Sequence, residues 1–161
     1  MRFNDVREVA APTDEAWAAL HDPDVLLEVI PGCRELRPLG RDRYAATLAA
    51  RVGRLADTYR GTFEIQDAAP GSELVVVVDG RGRCGHLEVE LRVRLVGGPT
   101  PGTANLEYDA RATVGGLVAR LGRAPLTVAA GHLTGCFFRD LDRALRRRTG
   151  SYRSVGVLSA V

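Results

Sequence analysis

His132, Cys136 and Asp140 are spaced i, i+4 and i+8, which on a helix lines an imidazole, a thiol and a carboxylate along one flank. A thiol beside an imidazole is the pairing a nucleophile needs, with an acid to orient the ring. The rise of a straight helix sets His132 and Asp140 about two turns apart. Cys136 therefore meets at most one of them, and the competing reading is a half-buried flank with Cys136 as a small apolar filler. No catalytic residue is assigned on this pattern. Asp57 is a second candidate, because it interrupts an apolar strand face made by Leu55, Tyr59, Phe63 and Ile65. No other strand clearly aims His, Asp or Glu inward. Cys33, Cys84 and Cys136 are an odd number without CxxC spacing, which argues against both a disulfide framework and a zinc site. The histidines at 21, 86 and 132 share no HxxxH or HxxE spacing, so no metal site is expected. Gly80, Gly82 and Gly85 (DGRGRCG) look superficially like a phosphate loop. They lie between two strands and lead into no helix, so a hairpin turn with a bulge explains them better.

The elements that position these residues follow from periodicity. Leu126, Ala130, Leu133, Phe137, Leu141 and Ala144 recur at spacings of three and four, the stripe of an amphipathic helix predicted over 125–148. Pro125 suits its first turn, and Arg143, Arg146, Arg147 and Arg148 suit the C-terminal end of its dipole, with an anionic lipid or acidic partner as the minor reading. Residues 2–10 read as a first strand of poor alternation. A short helix follows, capped by Thr13 or Asp14, and then a second over 24–30, stopped by Pro31-Gly32. Six further strands are expected, at 33–38, 43–52, 54–66, 73–79, 86–96 and 103–114. The last two alternate cleanly, as an antiparallel sheet with one wet and one dry face requires. The run 73–79 (ELVVVVD) reads as a strand covered on both faces. The expected fold class is thus α+β: a curved seven-stranded antiparallel sheet around one long helix, with two short helices closing one end. Residues 1–148 form the single domain and 149–161 a short tail.

The dry face carries Ala46, Ala50, Ala104, Ala110 and Ala112 where a filled core would want larger side chains. Small residues on a sheet curving around a helix leave room for an apolar ligand pocket, unless longer neighbours fill it. Tyr44, Tyr59 and Tyr108 would orient the polar end of such a ligand, since a buried phenol needs a partner. Leu48, Phe63, Leu91, Ala110, Leu133 and Phe137 would line its body.

Composition narrows the classes. A chain of 161 residues, 45% hydrophobic and 26% charged, with net charge +2, suits one domain with its own core. All 22 basic residues are arginine. They alternate with acids along the strands rather than gathering on one face, so a nucleic-acid partner is not expected. The N-terminus shows no apolar signal region, and no run approaches a membrane span. The expected location is the cytoplasm, with at most peripheral contact at the inner face of the membrane.

Several stretches resemble the carbon monoxide dehydrogenase G-subunit family within the START-like (SRPBCC) helix-grip superfamily. They are Ala11-Pro12 with Trp17 and Leu20, Asp22-Pro23, Ile30-Pro31-Gly32-Cys33 and Tyr59-Arg60-Gly61, then Leu106-Glu107-Tyr108, Val114-Gly115-Gly116-Leu117, Leu121-Gly122 and Phe137-Phe138. The resemblance implies a helix-grip fold and a protein without catalysis of its own. It would hold a hydrophobic small molecule, a quinone or other lipid, and serve as carrier or membrane-recruitment factor for a molybdenum hydroxylase. No tightly bound cofactor is implied. Some members end in a long extension with an apolar anchor; Val155-Gly156-Val157-Leu158 is too short for one. The alternatives are an enzyme resembling the polyketide cyclases and dehydratases of the same superfamily, and a ligand-free adaptor.

Overall fold

The alternating strands assemble into one seven-stranded antiparallel sheet of order β1-β7-β6-β5-β4-β3-β2. The computed structural model describes the backbone of residues 1–159 and the side chains of residues 1–148. In chain order the elements are β1 (Arg2–Val9), α1 (Thr13–Leu20), α2 (Pro23–Val29), β2 (Cys33–Gly40), β3 (Arg43–Val52), β4 (Leu55–Ala69), β5 (Glu73–Gly82), β6 (Gly85–Gly97) and β7 (Ala104–Gly115). A 3₁₀ turn at Leu117–Leu121, unmarked by any sequence pattern, leads into α3 (Arg123–Ser159). Strands β2 to β7 form a meander, and β1 closes it by pairing with β7.

Two glycines make the tight approaches that this arrangement needs. Gly32 adopts φ +73°, and a Cβ there would strike the Ala49 carbonyl; Ala49 N–H donates instead to the Gly32 carbonyl at 2.9 Å. Gly61 lies in β4 opposite Gly80, and a Cβ on it would strike the Asp79 carbonyl. Glycine within a strand marks such a close approach of backbones.

The helices pack on the sheet face that carries Val9, Ile65, Leu74, Val76, Val93, Leu95 and Leu106, and together these form the core. Ala16, Ala19, Leu26 and Val29 of the short helices and Leu141 and Leu145 of α3 complete it. This core fills only the end of the molecule covered by α1 and α2. α2 begins at Pro23 rather than Asp24 and is capped by Asp22, whose Oδ1 accepts from Asp24 N–H at 2.9 Å.

Several expectations are corrected. The cap of α1 is Pro12, without a side-chain bond, rather than Thr13 or Asp14; the bend after Ala11 already fixes the entry, and Asp14 accepts from Glu15 N–H within the first turn. The strand ELVVVVD is covered on one face only. Val77 on the other is 38% exposed, while Val75 is shielded between its cross-strand neighbours Gln66 and Arg92; a valine run signals β propensity as readily as two-sided burial. The glycines at 80, 82 and 85 frame a two-residue hairpin in regular register, without a bulge. Finally, α3 does not end at Arg148 but runs on to Ser159 through the segment read as a tail, and 160–161 lie outside the described residues. The arginine cluster is therefore mid-helix and does not serve a helix end. Arg146 bonds Asp142 at 2.8 Å, and Arg147 and Arg148 reach Glu28 and Asp22 to tie α3 onto α2. The bond from Arg148 is the main reason that the Asp22 carboxyl titrates below its ordinary value.

Candidate functional site

The apolar stripe of α3 meets two different environments. Leu141, Ala144 and Leu145 are buried, at 0%, 4% and 1% exposure. From 123 to 140 no α3 residue is buried, although Leu126, Ala130, Leu133 and Phe137 on the stripe are half-buried while Val128 beside it is 73% exposed. The sheet answers in kind. Leu48, Ala50, Leu87, Val89, Ala110, Ala112 and Val114 share the register face of the core yet are only half-buried. A close-packed interior would exclude solvent from such residues. The first half of α3 and the hairpin end of the sheet thus bound an apolar cleft that opens to solvent, beside a core that is filled.

The residues expected to line a ligand all lie on this inner face or on the facing stripe. Phe63, Leu91, Tyr108 and Phe137 pack against the core and form the inner wall of the cleft. Leu48, Ala110 and Leu133 lie further out and are half-buried. Tyr44 and Tyr59 are both only 6% exposed. Tyr44 sits 6.2 Å from Phe63, ring to ring. Tyr108 stacks on Phe138 at 5.5 Å, and Phe138 meets Phe137 edge-on at 5.1 Å. Of the five alanines, Ala104 is fully buried within the core and Ala46 is 9% exposed; the open side falls at Ala50, Ala110 and Ala112.

A polar group in the cleft is not apparent from sequence periodicity. Pairing of β1 with β7 sets Asp5 opposite Tyr108 and Arg7 opposite Leu106, so both charges share the inner face. Asp5 Oδ2 lies 3.2 Å from Arg7 Nε, a buried atom without a hydrogen bond of good geometry. The Arg7 guanidinium stands 5.9 Å over the Phe138 ring, within reach of a cation–π attraction. Burial, and then the Asp5 charge, push the Tyr108 phenol above its ordinary value, against opposing bonds from Arg7 and Thr134. Tyr108 therefore remains a neutral hydrogen-bond donor across the physiological range. The missed signal is that Val6 points outward, 52% exposed, while Asp5 and Arg7 stand between Phe3 and Val9 on the inner register face: the alternation of β1 breaks at its middle.

Asp57, the one acid expected to face inward, has a different task. Its Oδ2 accepts from Cys84 N–H at 2.7 Å and its Oδ1 from Thr58 N–H at 2.8 Å. The Cys84 bond is the main cause that holds this carboxyl below its ordinary value, so it is ionised and ties the start of β4 to the β5–β6 hairpin. Gly82 is small for this reason, since a Cβ there would strike the Asp57 carboxylate. On α3, Cys136 Sγ lies 3.7 Å from His132 Nε2, while Asp140 pairs with Arg139 at 3.2 Å and Arg143 at 3.9 Å. The three side chains do not assemble as a triad. Burial raises the Cys33 thiol, and His21 is fixed between the Trp17 carbonyl and Asp67, both at 2.8 Å. Among the described residues no three His, Cys, Asp or Glu side chains gather as a metal ion would require. Nor is any described helix long and apolar enough to cross a membrane.

Residues 7–146 match CoxG, the carbon monoxide dehydrogenase G-subunit family. The chain belongs to this family. No curated protein matches it closely enough to add a function. Among solved structures, a conserved protein from Geobacillus kaustophilus is 28% identical, with a TM-score of 0.86 over 91% of this chain and 96% of that one. A START superfamily protein from Mycobacterium smegmatis is 12% identical, with a TM-score of 0.71 over 91% and 97% of the two chains. The ZhuI aromatase/cyclase from Streptomyces sp. R1128 is 15% identical, with a TM-score of 0.69 over 92% and 95%. These two show the START-like helix-grip fold of this CoxG-family chain, and the fold alone.

Proposed function

We propose that this CoxG-family protein is a non-catalytic carrier of a hydrophobic ligand, a quinone or other lipid, acting as an accessory factor to a carbon monoxide dehydrogenase-type molybdenum hydroxylase. The observation that carries this reading is the half-open apolar cleft. Its body is apolar and aromatic, while Asp5, Arg7 and Tyr108 gather at one wall. Few polar groups in an apolar concavity are what binding and orienting a ligand require. A quinone carbonyl or a lipid head would accept from Tyr108 or Arg7, with its apolar body along Leu48, Ala110 and Leu133. The family supports the hydroxylase as partner.

The cyclase-like enzyme reading loses its main candidate, because both Asp57 oxygens are committed to backbone N–H groups. The test is native mass spectrometry on protein purified without detergent, with organic extraction of what it carries. A stoichiometric quinone or lipid is expected. An empty protein that also binds no member of a quinone panel would overturn the carrier reading and leave an enzyme or a ligand-free adaptor.

A further inference from the structure

On the opposite face of the sheet from α3, a groove of about 700 Å³ is lined by Arg34, Arg51, Arg60, Arg81 and Arg83. Its floor is short: Ala49, Ala56 and Thr58. Three other arginines on the outer face are ion-paired, Arg2 with Asp109 at 2.8 Å, Arg92 with Glu73 at 2.8 Å and Arg94 with Glu107 at 3.9 Å, and the unpaired ones outside the groove, Arg37, Arg43 and Arg111, do not share a concavity. Among the described residues none of the five groove arginines has an ion-pair partner within 4.0 Å. The one carboxylate at the groove, Asp57, accepts from backbone N–H groups and offsets part of the charge of Arg83 alone among the five. Moreover, Arg60 and Arg81 stand directly opposite one another across β4 and β5. Like charges so placed destabilise a sheet, unless an anion sits between them.

We propose that this groove docks an acidic segment of a partner protein. The arginines arise from four adjacent strands and the turn beyond them. At roughly 4.8 Å per strand the row spans about 14 Å. That is too long for a single phosphate, and it matches four or five residues of extended chain at about 3.3 Å each. The short floor leaves space for a backbone, and the forked guanidiniums suit carboxylates. A planar membrane surface cannot enter a concavity to reach all five. The groove also adjoins the cleft mouth: the β5–β6 turn that carries Arg83 accepts from Val118 N–H at 2.9 Å through the Cys84 carbonyl. A partner seated there sits beside the opening through which a ligand would pass, but the docking itself does not rest on the cleft being a carrier site.

The probe is a labelled oligoglutamate peptide, its binding read by fluorescence anisotropy at low and at physiological salt. The wild type is expected to bind, more weakly as salt rises. Replacing Arg51, Arg60 and Arg81 together by Gln should weaken binding at least about tenfold, whereas the same charge loss at Arg41, Arg111 and Arg120 should change it less than about twofold. Equal losses in the two triple variants would overturn the site. So would phosphatidylglycerol vesicles or inorganic phosphate displacing the peptide through the same three arginines at lower charge concentration, which would assign the groove to a lipid head or to free phosphate. A second measurement needs no peptide: Arg60→Gln should raise the thermal midpoint by removing the opposition to Arg81, and a fall would mean that the pair is structural. All readouts are independent of cleft occupancy, so failure of the carrier reading leaves them interpretable.

Discussion

Leu133 and Leu141 lie two turns apart on one stripe of one helix, and the structure gives them opposite energetic weights. Leu141 is 0% exposed within the core, so Leu141→Ala removes buried methyl groups and leaves a closed cavity, a cost of about 2.7–5 kcal/mol. Leu133 faces the cleft and is half-buried. Much of the surface that it loses in Leu133→Ala is already wet and no closed void remains, so the cost is about 1 kcal/mol or less. A chain of 161 residues shifts its midpoint by about 2–4 °C per kcal/mol. The two variants should therefore fall by about 5–20 °C and by no more than about 4 °C. Thermal and urea unfolding followed by far-ultraviolet circular dichroism read both, without knowledge of any ligand. Equal losses would refute the cleft, because they would mean that Leu133 is packed as tightly as Leu141.

The reciprocal substitution probes the sheet: Ala104→Leu overpacks a fully buried position and should cost about 1–3 kcal/mol. Ala110→Leu should be close to neutral in urea unfolding yet should reduce uptake of the proposed quinone or lipid ligand. Asp57→Asn should lower the midpoint at neutral pH by weakening the hold on the β5–β6 hairpin. Because the folded carboxyl titrates below its unfolded value of about 3.9, its contribution is complete above that value and is lost as pH falls through the lower folded one. Midpoints of wild type and Asp57→Asn should therefore converge in acid; a constant gap would reject this role. Gly61→Ala, whose Cβ would meet the Asp79 carbonyl, should destabilise by about 1–3 kcal/mol. Gly131→Ala on the open side of α3 should stabilise by up to about 1 kcal/mol, as differential scanning calorimetry would show.

Where burial and periodicity agree, the sequence is a direct record of the fold. Strand β6 alternates Leu87, Val89, Leu91, Val93 and Leu95 against charged residues, and every one of those apolar side chains lies on the inner face. The α3 stripe is equally plain, for no residue on it is exposed. Yet the same pattern cannot distinguish Leu133 from Leu141: hydrophobic spacing gives direction, whereas filling depends on what stands opposite, and only the positions of α1 and α2 decide that. Charges inside a cleft are hidden for the converse reason. Asp5 and Arg7 alternate with Asn4, Val6 and Glu8, and polarity points the eye to the wrong face. Asp57 was legible as an inward acid but not as a strap, because its partners are backbone N–H groups of residues that any sequence could supply. The outer arginines were legible singly; their convergence needs the register of four strands.

The division of the molecule into a filled end and an open end bears on how the proposed carrier would work. Leu74, Leu106, Leu141 and Leu145 are each no more than 1% exposed and lie at the end that α1 and α2 close. The tie from Ala10 N–H to Asp142 at 2.8 Å and the pairing of Arg147 and Arg148 with α2 fix α3 there. The first half of the helix meets the sheet through Thr134 and Phe138 at Tyr108 but has no buried residue, and few buried contacts are the condition under which an element opens locally at low cost. In the proposed carrier, a ligand would therefore enter between helix and sheet without disturbance of the core that supplies stability. The same logic accounts for Asp57. A carboxylate that holds the β5–β6 hairpin at the mouth keeps one lip of the cleft fixed while the helix, on the other lip, is free to yield.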